Sequence, residues 1–322
     1  EALFLRPSFY RFQAHQLVQL LTDRGLEVYT RPDGRIFPVH QTAKDVVAIL
    51  RQMLDEVGVQ VRFDTPVLEI LTDAGRVTGV RIEDGIIKAT NIIMSVGGSS
   101  YPNSGTTGDG WPWMRQLGHT IVPLRAALAP IYLGLESESP SGLSLRDVVL
   151  KARQDGREFD RWRGVMLFTH QGISGPCALG ISRKVAEKSL DGLVSLTVDL
   201  HPNHSFEDLL NGFIEDAVTH PHRTVASHLE RALPDRVVAL VLQAAHADGD
   251  VRLKDWDRKS RNRIVECLKA LPLGNVRAVP LEKGEVVAGG VSLSEVDPKT
   301  MESKNVYGLC LCGEILDIAG PV

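Results

Sequence analysis

The stretch Ala89-Thr-Asn-Ile-Ile-Met-Ser-Val-Gly-Gly-Ser-Ser-Tyr-Pro-Asn-Ser-Gly-Thr-Thr-Gly-Asp-Gly-Trp111 decides the fold class of this chain. Four of residues 92–96 are apolar, and the run stops at Gly97 and Gly98, which is typical of a buried strand that ends where another group comes close. A loop rich in Ser, Thr and Gly follows, and Asp109 stands where a helix with regularly spaced apolar residues would begin. α/β proteins use this order of strand, glycine turn, loop and helix to hold a phosphorylated or planar ligand. Packing of the helix against the sheet is the competing explanation for the glycines.

The composition is that of a globular protein. The 322 residues, 43% of them hydrophobic, can bury a sizeable core, and the length predicts two domains or one domain with a large insertion. A net charge of -4 gives no field that attracts a phosphate backbone, so we predict that nucleic acid is not a partner. No apolar run approaches the roughly 20 residues of a membrane span, and the four cysteines lack CxxC spacing. We therefore predict a soluble, cytoplasmic protein without a membrane partner, a disulfide framework or a structural zinc site.

The first 100 residues alternate helix and strand signals. Ser8 predicts the start of one helix that Gly25 ends, and Thr42 begins a second helix with a capping box. Between these helices, Pro32-Asp-Gly34 predicts a tight hairpin turn, because glycine supplies the positive φ that such a turn requires. A β-meander then leads back into the buried strand that ends at Gly97. The strands predicted ahead of that one are residues 26–31, 35–39, 59–63, 67–71 and 77–82.

From residue 125 the pattern changes to short strands at meander spacing, which predicts a small antiparallel sheet or barrel. These strands are residues 131–135, 147–150, 165–168 and 194–198. The periodicity between residues 205 and 270 is helical, and a last strand at 305–312 is expected to return to the first sheet. We therefore predict an α/β main domain, residues 1–124 and 283–322, interrupted by a barrel, residues 125–204 and 271–282, with a helical subdomain at 205–270.

Five motifs in a fixed order, spread over nearly the whole chain, resemble one family. It is the aminoacetone-oxidase-type family of FAD-binding flavoproteins, which also contains bile-acid enone reductases. The motifs are Gly34-Arg-Ile-Phe-Pro-Val39; Val96-Gly-Gly-Ser-Ser-Tyr-Pro102 with Ser104-Gly-Thr-Thr-Gly-Asp-Gly110; Leu167-Phe-Thr-His-Gln-Gly-Ile-Ser-Gly-Pro176; Ala288-Gly-Gly-Val-Ser-Leu293 with Asp297-Pro-Lys-Thr-Met-Glu-Ser-Lys304; and Gly313-Glu-Ile-Leu-Asp317.

The resemblance implies a Rossmann-like FAD domain with an inserted barrel and a helical subdomain, and a flavin at their interface. It also implies two segments that the sequence lacks: a G-x-G-x-x-G loop ahead of Glu1 and a Gly-Gly-Tyr-Asn segment after Pro321. The sequence therefore has the character of a fragment, and any targeting signal upstream of it would be invisible. We expect residues 1–322 alone to be inactive and to bind FAD weakly or not at all, while the intact protein binds it tightly.

The resemblance also assigns cofactor contacts. Strand-end glycines would let the backbone approach FAD, and the loop before residue 110 would place amide donors at a helix start. Glu314 resembles the acidic residue that accepts hydrogen bonds from the ribityl hydroxyls, and Asp317 competes for this role. Val67 would offer its backbone to the adenine while its side chain is core, and Asp109 is equally well explained as a helix N-cap. The complete set of predicted contacts is Val67, Gly97, Gly98, Gly105, Gly108, Asp109, Gly110, Gly289, Gly290, Gly313, Glu314 and Asp317.

Catalytic residues are harder to predict, because the flavin carries the hydride and the protein mainly positions groups and supplies protons. Arg35 is a candidate for binding a substrate carboxylate or the charge of the reduced flavin, with a surface hairpin arginine as the alternative. Tyr101 and His170 are candidate proton donors, and structural roles are the alternative for both. The paired histidines at 201/204 and 220/222 lack accompanying ligands, so we predict no metal site.

The function predicted from these observations is hydride transfer between FAD and a small organic substrate. Reduction of a conjugated carbon–carbon double bond is one version, with NAD(P)H as the electron donor. The alternatives are an amine oxidase that uses oxygen and a non-catalytic scaffold that binds flavin or another ligand. The sequence does not name the substrate or the oligomeric state.

Overall fold

The computed structural model describes residues 1–32, 34–40, 42–100, 102, 105–134 and 140–320. Asp33, Tyr101 and Leu135, which appear in the sequence predictions, lie outside the described residues. The chain forms two compact units. The first unit comprises Glu1–Val96, Asp109–Val122 and Val291–Asp317, and the second comprises Gly97–Gly108, Pro123–Gly290 and Ile318–Val322. The domain boundaries derived from the sequence stay a prediction.

The first unit begins with helices and a hairpin. They are α1 (Ala2–Arg11), α2 (Ala14–Thr22), β1 (Val28–Thr30), β2 (Ile36–Pro38) and α3 (Ala43–Glu56). The predicted antiparallel hairpin is confirmed, with Tyr29 opposite Phe37. The predicted capping box is also confirmed: the backbone N–H of Thr42 donates to Oδ2 of Asp45 at 2.7 Å, which fixes the first turn of α3.

Two predictions in this region are wrong. The single helix expected from Ser8 to Gly25 is broken, because the backbone is extended at Phe12 and Gln13 then starts a new helix by a reciprocal cap with Gln16. The strand expected at residues 59–63 does not form. Its alternating side chains have no neighbouring strand to pair with, and alternation without pairing does not stabilise a strand.

Besides the hairpin, the first unit contains a meander and a parallel pair of strands. β3 (Glu69–Asp73), β4 (Arg76–Ile82) and β5 (Gly85–Lys88) form an antiparallel meander, in which β3 and β4 correspond to the predicted strands 67–71 and 77–82. β5 was not predicted as a separate strand. β6 (Ile92–Met94) then pairs in parallel with β15 (Leu309–Leu311). This pairing confirms the prediction that the last strand returns to the first sheet. The helix predicted after the glycine loop is α4 (Gly110–Gln116), with Asp109 at its N-cap position.

The core of the second unit is a closed antiparallel barrel, as predicted. Its strands are β8 (Ile131–Leu133), β9 (Ser144–Gln154), β10 (Arg157–Thr169), β11 (Gly172–Ser174), β12 (Val194–Asp199) and β13 (Leu271–Ala278). They close in the order β10-β11-β8-β13-β12-β9. Closure removes free sheet edges and buries one face of every strand. Helix α5 (Pro176–Lys188) packs on the barrel through Cys177, Ile181 and Val185, which are buried.

Two further groups of elements complete the chain. The strands β7 (Ile121–Ala127) and β14 (Val286–Val291) pair with each other. The predicted helical subdomain consists of α6 (Phe206–Thr219), α7 (Val225–Leu229), α8 (Asp235–Ala244) and α9 (Arg258–Lys269). Its apolar residues share one continuous core with the barrel, including Phe213, Val237 and Ile264. No helix in the described part of the chain is long and apolar enough to cross a membrane.

The carboxylate of Asp216 on α6 forms ion-pair contacts with several basic side chains of the helical subdomain. Its Oδ2 lies 2.7 Å from Nδ1 of His228 and 2.9 Å from Nη1 of Arg231, while Oδ1 lies 3.2 Å from Nδ1 of His220. Burial raises the pKa of Asp216, but the neighbouring cations outweigh this effect and hold it below its ordinary value. Burial lowers the pKa of His228, and Asp216 only partly opposes it. His228 therefore stays neutral at pH values where an exposed histidine begins to protonate.

This arrangement predicts how stability depends on pH. Because the pKa of His228 is lower in the folded state, the unfolded chain binds the proton first, and stability falls as the pH drops below about 6.5. His201, whose pKa is also lowered mainly by burial, acts in the same direction. Urea unfolding between pH 7.5 and 5.5 is expected to show this loss, and His228→Gln should make it smaller. His170→Gln, at an exposed barrel turn, is the control; an unchanged pH profile in His228→Gln would contradict the assignment.

Candidate functional site

The carboxyl ends of β6 and β15 lie side by side in the first unit. Leu309, Cys310 and Leu311 stand opposite Ile92, Ile93 and Met94, and the backbone N–H of Cys312 donates to the carbonyl of Met94 at 3.0 Å. The chain leaves the two strands at residues 95–96 and 312–317. Ligands of open α/β sheets bind beyond the carboxyl ends of their parallel strands. This edge is therefore the candidate functional site of the first unit.

Helix α4 begins at this edge, and its first residue, Gly110, packs closely against it. A Cβ on Gly110 would lie 2.7 Å from Cγ2 of Val96 and 2.8 Å from Cδ1 of Ile315. The indole Nε1 of Trp111, which is buried, donates to the carbonyl of Ile315 at 3.2 Å. Gly110 thus has a packing role, the alternative that the sequence left open for its glycines. Its cofactor role stays a prediction.

The turn after β15 presents backbone and carboxylates at the same edge. Gly313 has a φ of +82°, and no heavy atom lies within 4 Å of the position a Cβ would take. The turn is closed by hydrogen bonds from Leu316 N–H to the carbonyl of Gly313 at 3.2 Å and from Asp317 N–H to the carbonyl of Val291 at 3.0 Å. Glu314 and Asp317 are half-buried in it. A flat ligand can therefore approach the backbone at Gly313 with a carboxylate beside it.

The second unit holds the other predicted glycines. Gly97 has a φ of +73°, and a Cβ there would lie 2.9 Å from Cγ2 of Thr106, so the start and the end of the loop are in close contact. Gly98 is buried, and so are Gly289 and Gly290 on β14. Gly105 and Gly108 lie in the same loop as Thr106. A common cofactor for the glycines of both units stays a prediction.

The predicted catalytic residues are dispersed along the chain. Arg35 is exposed on the β1–β2 hairpin of the first unit, where its carbonyl accepts a hydrogen bond from Arg31 N–H at 2.8 Å. His170 is exposed in the turn between β10 and β11 of the barrel. Val67 is half-buried just ahead of β3. Tyr101 lies outside the described residues.

A buried polar network in the first unit was not predicted. Nδ1 of His119 lies 3.0 Å from Oε2 of Glu295, and its Nε2 lies 2.8 Å from Oγ of Ser303. Ser303 Oγ also accepts the backbone N–H groups of Asn305 and Val306, so its own proton points to His119. Nδ1 of His119 donates to the carboxylate of Glu295, which can only accept. The network joins the chain after α4 to the segment that leads into β15.

Nothing in the sequence distinguishes His119 from an exposed histidine, because its partners are more than 170 positions away. The only sequence signal for this network is the motif from Asp297 to Lys304, which contains Ser303. Burial raises the pKa of Glu295, but hydrogen bonds from Thr120 and His119 outweigh it and hold the pKa below its ordinary value. Within the described ranges, no group of three or more His, Cys, Asp or Glu side chains is placed to hold a metal ion.

Residues 1–322 match the family described as the HI0933-like protein Rossmann domain. The chain belongs to the HI0933-like family. Two similar proteins are ribosomal RNA dihydrouridine synthases, from Haemophilus influenzae (27% identical, 98% of this chain and 77% of the relative) and Escherichia coli (26%, 98% and 76%). A third is the 3-dehydro-bile acid delta(4,6)-reductase of Clostridium scindens, at 24% identity over 98% of this chain and 77% of the relative.

These matches confirm the resemblance inferred from the five motifs and the predicted fold class. The HI0933-like chain is a Rossmann-type α/β protein with a barrel and helices, of a FAD-binding oxidoreductase family. The residues of the first unit fit that cofactor. Parallel strand ends, where open α/β sheets bind their ligands, an open backbone at Gly313 and the adjoining carboxylate of Glu314 are compatible with a dinucleotide.

The packing of Gly110 gives a stability prediction for this HI0933-like chain. Gly110→Ala is expected to destabilise it by about 1–3 kcal/mol, because the methyl group overlaps Val96 and Ile315. Gly212→Ala is the matched control: Gly212 lies within α6 with no atom near its Cβ position, and alanine should stabilise the helix by about 1 kcal/mol. Urea denaturation measures both, and equal stability of Gly110→Ala and the native chain would contradict the packing argument.

The buried network predicts a second pH effect, at lower pH. Because the folded-state pKa of Glu295 is depressed, its contribution is complete above the unfolded value and is lost as the pH falls through the folded value. Glu295→Gln should cost about 1–3 kcal/mol at pH 7 and weaken the stability loss below pH 4.5. Exposed Glu83→Gln in the same unit is the control. If both variants lose stability equally with acid, the network is not its source.

Proposed function

We propose that this protein is a FAD-dependent reductase that saturates a carbon–carbon double bond conjugated with a carbonyl group. The match to the HI0933-like family over residues 1–322 carries the proposal, together with the activities named for its relatives. Forming dihydrouridine and reducing a delta(4,6) bile acid with a 3-keto group are the same chemistry on different rings. In a uracil ring and in a 3-oxo-4-ene ring alike, the double bond is conjugated with a carbonyl group, so its reduction would add a hydride to the β carbon and a proton to the α carbon.

FAD, when bound, supplies the hydride, with NAD(P)H as the proposed reductant. The chain's own residues bind and orient the cofactor and the substrate. The open backbone at Gly313 admits a flat ring, and the two oxygens of Glu314 suit a pair of ribityl hydroxyls. His170 and Tyr101 are the proposed donors of the proton to the α carbon, and Arg35 is proposed to bind a carboxylate or stabilise negative charge. A cytoplasmic location is part of this proposal.

The proposed substrate is a small organic molecule. In the barrel, cations are neutralised by acids: Arg163 donates to Asp147 at 2.8 Å, and Lys151 and Lys269 share Asp199 at 3.4 and 2.9 Å. Cations paired in this way provide little field for a phosphate backbone. The uracil of RNA is the second candidate, supported by the two relatives that are named ribosomal RNA dihydrouridine synthases.

Anaerobic flavin spectroscopy tests the proposal on the FAD-loaded protein. NADH or NADPH is expected to bleach the flavin, and a 3-oxo-4-ene steroid should restore its absorbance while the saturated 3-oxo steroid does not. Reoxidation by uridine-containing RNA instead would establish the second candidate. Reoxidation by oxygen alone would identify an oxidase, and no bleaching would leave the scaffold alternative. Arg35→Ala and His170→Ala should each slow reoxidation by the enone if their proposed roles hold.

A further inference from the structure

A cleft of about 520 Å³ lies in the second unit, beside the C-terminal half of α5. Its lining is mostly charged, with two apolar side chains. The charged residues are Arg125 from β7, Lys184, Glu187 and Lys188 from α5, and Asp191; the apolar ones are Phe159 from β10 and Leu190 just beyond the helix. The volume falls in the range of small-molecule sites, which pair apolar walls with a few polar groups. We call this feature the Arg125 cleft.

Arg125 has an unsatisfied donor in this cleft. Its Nε is buried and finds no hydrogen-bond partner among the described residues. The nearest carboxylate is Glu187, 3.6 Å from Nη2, which is beyond hydrogen-bond distance. Glu187 is held instead by Nε of Arg183 at 3.1 Å. A buried donor without a partner is costly, so the guanidinium is not fully neutralised by its surroundings. The Arg125 side chain remains 20% exposed where it lines the cleft, and a ligand can reach this exposed part.

The charges around the cleft favour an anion. Lys184 is paired with Asp160 at 3.1 Å and Lys188 with Asp191 at 3.2 Å, while Glu187 lies between Arg125 and Arg183. The four cations exceed the three acids by one, so a single negative charge would balance the cluster. A carboxylate carries that charge, and its two oxygens match the fork of an arginine.

The apolar part of the lining defines the rest of the ligand. Phe159 is half-buried, and Leu190 has 71% of its surface exposed. An apolar body placed against these two side chains would remove them from water while the carboxylate meets Arg125. We propose that the Arg125 cleft binds the carboxylate of an apolar organic acid. This site is independent of the proposed reductase function.

Isothermal titration calorimetry tests the proposal with cyclohexanecarboxylate as the probe. The native chain is expected to bind it and not to bind cyclohexylmethanol, which has the same ring without the charge. Arg125→Gln should weaken binding about tenfold or more, and Arg125→Lys, which keeps the charge without the fork, should weaken it less. Arg153→Gln is the matched control: Arg153 also has a buried Nε without a partner but does not line the cleft.

The outcomes separate clearly. Loss of affinity in Arg125→Gln but not in Arg153→Gln supports the proposal, and a circular dichroism melt of each variant confirms that both are folded. Equal binding of the alcohol, or unchanged affinity in Arg125→Gln, would overturn it. Should Arg125→Gln fail to fold, Leu190→Asp supplies the second test: a negative charge on this exposed wall must reduce the affinity for the acid, and unchanged affinity would refute the site.

Discussion

The parallel pairing of β6 with β15 is the contact on which the first unit depends. Three residues of each strand face each other, although more than 200 positions separate them in the chain. Everything between them, including the barrel and the helices, must leave one strand end and return to the other. Closing so long a loop costs entropy that three backbone pairs cannot offset alone. Other contacts must offset the remaining entropy cost. Two of them lie near the strand ends: the indole of Trp111 and the backbone N–H of Val291 each donate a hydrogen bond to the carbonyl of Ile315.

The second unit has a closed barrel and a core of its own. Its barrel closes on itself, so it needs no strand from elsewhere to satisfy an edge. The helices α6 to α9 add their apolar faces to the same core. An insertion with its own core acts as a preformed link between distant strands, which lowers the effective length of the loop they must close.

The features that could be predicted from the sequence are those with a local physical cause. The capping residue Thr42 acts within three positions, and the barrel strands were predicted from short apolar runs at meander spacing. The single helix from Ser8 failed because a glutamine cap at Gln13 is a weak signal beside a long apolar stripe. The role of His119 could not be predicted from the sequence, because its partners Glu295 and Ser303 come close to it only in the folded chain. Glycines at strand ends could be identified in the sequence, but close packing and ligand approach favour the same residue there, and Gly110 is an example of close packing.

The division of labour between cofactor and protein explains why a fold of this kind can be identified more readily than its substrate. Where a flavin carries the hydride, the protein must supply a ring-sized gap, a proton and walls that accept one molecule. The first requirement restricts the backbone at strand ends and therefore favours glycines that a motif can detect. The walls place no such restriction, because many side chains can form an apolar surface. Relatives at 24–27% identity that are named for a nucleoside and for a bile acid are what this division predicts.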